Sequence, residues 1–142
     1  MKKFVLDSWA LLAWLKGEDP GRRQMRAFFD RAAQGKLELW MNMIDVGEVF
    51  YLLAKRGQRE RAEALLEDMG SVIPIKTLVP DGPLILEAAR FKSRHPVSYA
   101  DAFAAVTALS QDAPLVTGDP EFRSLPDIRL EWIGAGDAPA WR

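Results

Sequence analysis

An α/β fold, with a parallel sheet covered by helices on both faces, follows from two features of this 142-residue chain. Short, almost wholly apolar segments recur between longer stretches of helical periodicity, which is the pattern of βαβ units with strands buried on both faces. No two of these segments are joined by hairpin turn chemistry.

The elements can be justified in order. Residues 3–6 read as a buried strand and residues 8–16 as an apolar helix stopped by Gly17. Residues 21–34 form a helix with Met25, Phe28 and Phe29 on one face, ended at Gly35. A strand at 37–41 leads to Asn42, a cap for a helix over 43–55, and a more charged helix follows over 59–69. Residues 72–77 read as a strand whose Pro74 assigns it to the sheet edge. A helix over 81–92 tolerates Pro83 in its first turn, and the alanine-rich stretch 98–110 forms a helix able to pack closely. Residues 114–116 and 129–133 supply the last two strands, and the tail GAGDAPAWR reads as loose.

Composition narrows the function classes. Hydrophobic residues at 49% and charged residues at 27% fit a soluble globular protein. The apolar run after Met-Lys-Lys is broken at Asp7, unlike a secretory signal, and no stretch approaches the roughly 20 apolar residues of a membrane span. No membrane association and a cytoplasmic location are therefore expected. The absence of cysteine excludes disulfides and thiolate-bound zinc, and a single histidine, His95, excludes a His-rich metal site. A net charge of −1 lacks the basic excess of proteins that bind nucleic acid by bulk electrostatics. It leaves open an enzyme that meets nucleic acid through bound cations.

Four acids stand in awkward places. Asp7 interrupts apolar sequence where a buried strand turns into a buried helix, and a buried carboxylate costs several kcal/mol unless something compensates it. Asp119 lies just past the fourth strand, so both sit where open parallel sheets bind ligands. Each also reads as a helix cap, Asp119 being followed by Pro120. Glu48 lies beside an apolar stripe of its helix with Asp45 one turn earlier, unless that face is simply solvated. Asp101 stands three residues after Ser98, a variant of the capping box. Together, acids at strand ends and in early helical turns can converge on one crevice. Carboxylates without histidine or cysteine are the hard-ligand set for Mg²⁺ or Mn²⁺. A metal ion is thus the expected partner of Asp7.

The segments FVLDSWALLAWL, NMIDVGEVFYLL, SYADAFAAVTAL and LVTGDPEF resemble, in order and spacing, the four acidic motifs of the PIN-domain ribonucleases. The similarity is greatest to the VapC-type toxins of toxin–antitoxin modules and runs from about residue 3 to residue 133. It implies a PIN-like three-layer α/β/α fold with a central parallel sheet of about five strands, over residues 1–134, with 135–142 as a loose C-terminal tail. It also implies divalent-metal-dependent cleavage of RNA, with one or two Mg²⁺ or Mn²⁺ ions. Matched residue by residue, Asp7, Glu48, Asp101 and Asp119 correspond to the family's catalytic and metal-binding acids. Ser8 matches the hydroxyl residue after the first acid, and Thr117 the threonine before the last, a hydrogen-bond partner behind the ligands. Bound ions would activate water and stabilise charge on the attacking and leaving oxygens of an in-line displacement.

The expected activity is that of an endoribonuclease toxin from a type II toxin–antitoxin pair. Rival readings are a non-catalytic PIN-like RNA-binding or scaffold module, a solitary RNA-processing nuclease, and a single-stranded DNA nuclease. A dehalogenase-like phosphatase needs an acid two positions after the first, where Trp9 stands, and neither dinucleotide nor P-loop glycine motifs occur. The five tryptophans (Trp9, Trp14, Trp40, Trp132, Trp141) read mostly as core. Aromatic surface left over would serve a homodimer or an antitoxin groove, so RNA, an antitoxin protein and a second copy of the chain are the expected partners.

Overall fold

A computed structural model describes residues 1–135. Its elements are β1 (Lys2–Leu6), α1 (Ser8–Lys16), α2 (Gly21–Ala33), β2 (Leu37–Asn42), α3 (Met43–Lys55), α4 (Arg59–Asp68), β3 (Lys76–Leu78), α5 (Gly82–Arg94), α6 (Tyr99–Ser110), β4 (Leu115–Thr117) and β5 (Leu130–Trp132). A one-turn 3₁₀ helix, Pro120–Ser124, lies between β4 and β5. The tail expected from residue 135 onward, Trp141 included, lies outside the described residues apart from Ala135.

The five strands form one all-parallel sheet in the order β3-β2-β1-β4-β5. Strand β1 is central and alternates its buried side chains between two cores. Phe4 and Leu6 join a cluster with Leu11 of α1, Met25 of α2, Val49 of α3 and Leu65 of α4. Val5 joins the opposite cluster with Phe91 of α5 and Ala102, Phe103 and Ala105 of α6. This two-sided burial is why the strands read as continuous apolar runs and why the architecture has three layers, α/β/α.

The helix boundaries follow their caps. Asp7, Asn42, Asp81 and Ser98 each accept a backbone N–H from the first turn of α1, α3, α5 and α6. Gly17 ends α1 with φ of 71°, a left-handed conformation that favours glycine. Strand β3 is the element that departs most from its expected span. It covers Lys76–Leu78 instead of 72–77, because Pro74 lacks an N–H and the chain first makes an isolated bridge between Ile73 and Met69. Its place at the sheet edge is as expected. Trp9, Trp14, Trp40 and Trp132 pack against the cores but each keeps part of its surface exposed. No helix among the described residues is long and apolar enough to cross a membrane.

Candidate active site

The strand order fixes where the site lies. The chain builds outward from β1 to β2 and β3, then returns across β1 to lay down β4 and β5. The order therefore reverses between β1 and β4, where open α/β sheets form a crevice beyond the strand ends. Leu6 of β1 pairs with Val116 of β4. Their successors, Asp7 and Thr117, thus emerge side by side, and the Thr117 hydroxyl donates to Asp7 Oδ2 at 2.5 Å. The same hydroxyl oxygen accepts the Asp119 backbone N–H at 3.0 Å, linking the two strand-end acids.

Both acids are helix caps and members of the crevice at once. Asp7 Oδ1 accepts the Ala10 N–H at 2.9 Å, and Asp119 Oδ1 accepts the Glu121 N–H at 3.0 Å. Beside the metal ion expected for Asp7, side-chain and backbone donors meet it as well. Thr117 and the α1 N-terminus already hold its two oxygens. They do not neutralise it, and Asp7 is only 1% exposed. Burial pushes its carboxyl up to about 8 against the pull of the Thr117 and Ala10 hydrogen bonds, with the charges of Asp101 and Asp119 adding to the rise.

Helix α6 brings the third acid. It enters the crevice by its N-terminus, where Ser98 caps the Asp101 N–H at 3.1 Å. Its buried Ala102, Ala104, Ala105 and Ala108 let the helix lie close on the sheet. Asp101, Asp119 and Glu121 each offer a carboxylate oxygen within 4.8 Å of the others. Among the described residues no other three potential ligands of the His, Cys, Asp and Glu types converge so closely. Burial raises the Asp101 carboxyl most, a hydrogen shared with Glu121 and the charge of Asp119 add to this, and the result is about 7.

The structure thus unites Asp101 with Asp119, places Asp7 against both, and sets Glu48 outside the converging trio but near enough to Asp45 for its charge to act there. Glu48 is half-buried on α3, with the Tyr51 hydroxyl donating to its Oε2 at 3.5 Å. Ser8 lies under the site, its hydroxyl donating to the Asp45 carbonyl at 3.2 Å and to Asp45 Oδ1 at 3.3 Å. Asp45 itself is wholly buried, so the α3 face that carries it is not solvated. Sequence reasoning passed over Glu121, although its spacing in GDPEF put a second acid two residues after Asp119.

The donor set fits a hard divalent cation. Three carboxylates converge, and none of Asp7, Asp45, Asp101, Asp119 and Glu121 has a lysine or arginine ion-pair partner among the described residues. Like charges this close repel unless protons or cations compensate them. Asp101, Asp119 and Glu121 would hold such an ion directly, with Asp7 beside them.

Glycines keep the crevice floor in place. A Cβ on Gly118 would lie 2.4 Å from the Ile133 carbonyl oxygen and 2.4 Å from the Trp9 ring, and one on Gly134 would lie 2.6 Å from the same ring. The indole of Trp9 is thus seated over the strand end that delivers Asp119. Gly118→Ala is expected to lower stability by about 1–3 kcal/mol, since the contact on one side is rigid backbone. A melting temperature within a degree of wild type would show that the seat is not tight.

Residues 4–128 match the profile of the PIN domain family. No curated protein sequence matches the chain significantly. Solved structures of similar fold include a DNA-bound VapBC from Salmonella typhimurium, with TM-score 0.70 and 24% identity over 93% of this chain and 98% of that one. VapBC2 from Rickettsia felis, bound to a DNA fragment from its promoter, gives TM-score 0.70 and 17% identity over 93% and 99%. Mycobacterium tuberculosis VapC20, described as a sarcin–ricin loop cleaving toxin, gives TM-score 0.68 and 17% identity over 89% and 98%. With the profile spanning most of its length and an acid-lined crevice at the sheet's switch point, the chain belongs to the PIN domain family.

Proposed function

We propose that this protein is a divalent-metal-dependent endoribonuclease that cleaves RNA phosphodiester bonds and serves as the toxin of a type II toxin–antitoxin pair. The observation that carries the reading is the convergence of Asp101, Asp119 and Glu121 at the switch point, without a basic partner. Membership of the PIN family supports a nuclease, and folds shared with VapBC complexes support an antitoxin partner. A homodimer, a cytoplasmic location and a nuclease domain over residues 1–134 complete the proposal.

In this reading Asp7, Glu48, Asp101 and Asp119 are the catalytic and metal-binding acids, joined by Glu121. Bound Mg²⁺ or Mn²⁺ supplies activation of water and neutralises charge on the phosphodiester oxygens. The chain's own residues hold the carboxylates in place for this. The Thr117 hydroxyl fixes the orientation of Asp7 and the Asp119 backbone, Ser98 fixes the start of α6, and Ser8 ties α1 to α3. With a net charge of −1, affinity for the phosphate backbone falls to the cations and to local contacts.

The test is incubation of the purified protein with single-stranded RNA and with DNA of matching sequence, in Mn²⁺, in Mg²⁺ and in excess EDTA. Cleavage of the RNA that stops in EDTA is expected. Undiminished cleavage in EDTA would overturn the metal mechanism, and RNA binding with no cleavage under any condition would favour a scaffold module. Cleavage of DNA alone would make it a DNA nuclease.

A further inference from the structure

We propose that Asp45 is a sixth acid of the site, a positioning residue that sets the affinity of the neighbouring carboxylates for a divalent cation through its charge and its hold on Ser8. The inference rests on the function proposed above. Asp45 stands in the first turn of α3 with none of its surface exposed. Its Oδ1 accepts from the Ser8 hydroxyl, while Oδ2 is buried and meets no hydrogen-bond donor. The helix does not need it as a cap, because Asn42 already accepts the Ile44 N–H at 2.9 Å.

The charges that act most strongly on Asp45 are those of Asp7, Glu48 and Asp101, all acids. Burial first, and then these charges in that order, hold its carboxyl well above the usual range, against the Ser8 hydrogen bond. A buried oxygen without a donor, facing like charges, is among the least favourable arrangements a side chain can adopt. Asparagine would keep the shape and the bond from Ser8, and would offer an N–H to the acids where Oδ2 now finds no partner. The carboxylate is favourable only when positive charge enters the crevice. It lies outside the converging trio, so its influence is exerted from behind Asp7 and not by joining that trio. Carboxylates that act from behind the ligands change metal affinity by about 10–100-fold when removed.

The probe is Mn²⁺ alone, titrated against the full chain without RNA and followed by electron paramagnetic resonance, with melting curves in EDTA beside it. Asp45→Asn should weaken Mn²⁺ binding by about tenfold or more. Its melting temperature in EDTA should equal or exceed that of wild type, which a merely structural role for the carboxylate would not produce. Ser8→Ala, which removes the tether and keeps the charge, should also weaken Mn²⁺ binding, and gives a second reading should Asp45→Asn fold poorly. Wild-type Mn²⁺ affinity in both variants would overturn the inference. Glu121→Gln separates the two levels. If it loses Mn²⁺ while Asp45→Asn does not, only the role of Asp45 falls. If the wild type binds no Mn²⁺, the proposed function falls with it.

Discussion

Asp7→Asn is expected to abolish RNA cleavage while raising the stability of the cation-free protein. The substitution preserves what the fold needs from this position. Asparagine caps a helix as well as aspartate, so Oδ1 can still accept the Ala10 N–H. The new amide can donate to the Thr117 hydroxyl oxygen, reversing the sense of the present bond. What disappears is a negative charge in a position only 1% exposed, next to Asp101 and Asp119. Loss of a group behind the ligands already costs about 10–100-fold, so loss of a charge beside the ion should reduce cleavage by at least about a hundredfold. In a bacterial host, induction of the wild type should arrest growth, and the variant, at equal soluble level, should not. Growth arrest by Asp7→Asn at matched expression would assign the toxicity to something other than this crevice.

The second large effect is an inverted response to pH. Most carboxylates are stabilised by folding, so proteins commonly lose stability in acid. Here Asp7 is raised to about 8 and Asp101 to about 7, chiefly by burial, and Asp45 shifts in the same direction. A carboxyl with a folded value above its unfolded one binds more protons when folded. Its contribution is therefore fully favourable below about pH 4 and is lost as pH rises through its folded value. Each such group imposes a slope of up to about 1.4 kcal/mol per pH unit within that window. In EDTA the protein should be less stable at pH 8 than at pH 5, by at least about 2 kcal/mol, or several degrees of melting temperature. Glu38, lowered first by its hydrogen bonds to Trp40 and Lys76, works in the opposite sense but only below about pH 4.5. Saturating Mn²⁺ should flatten or reverse the trend, because cations bind the deprotonated acids and their stabilisation grows with pH. A melting temperature in EDTA that is flat from pH 5 to 8 would mean that these acids do not share a low-dielectric crevice.

Much of this arrangement was legible in the residues because capping and burial leave local marks. Two-sided burial of Phe4, Val5 and Leu6 shows as an unbroken apolar run, and Asn42 and Ser98 announce the helices they cap. The acids at 7 and 119 are a different matter. Their capping and functional readings looked like alternatives in sequence, yet the structure gives each its cap and its place in the crevice together. A carboxylate has four lone-pair positions, so one oxygen can serve a helix while others face a cleft. Asp45 could not be read, because its burial depends on how α1 meets α3, a contact across 37 residues. Glu121 was hidden for a similar reason, since only the turn after β4 aims it at Asp101. Strand β3 was misplaced because the apolar residues Val72, Ile73 and Ile75 precede it, while the strand itself, Lys76–Leu78, is mostly polar.

The strand order also dictates when the site can exist during folding. Asp7, Asp45 and Glu48 belong to the first half of the chain, whereas Thr117 and Asp119 arrive on the strand that docks last against β1. Contacts between residues some 110 positions apart in sequence form late, because a long stretch of chain must first be ordered. Before β4 docks, β1 is an open strand edge and the acids are scattered, so the crevice is not yet assembled. Under the function proposed above, that delay would be an interval in which an antitoxin could engage the earlier helices. The same dependence makes β4 and β5, each three residues long, a point of weakness. Their local release from the sheet would disperse the carboxylates without unfolding the rest.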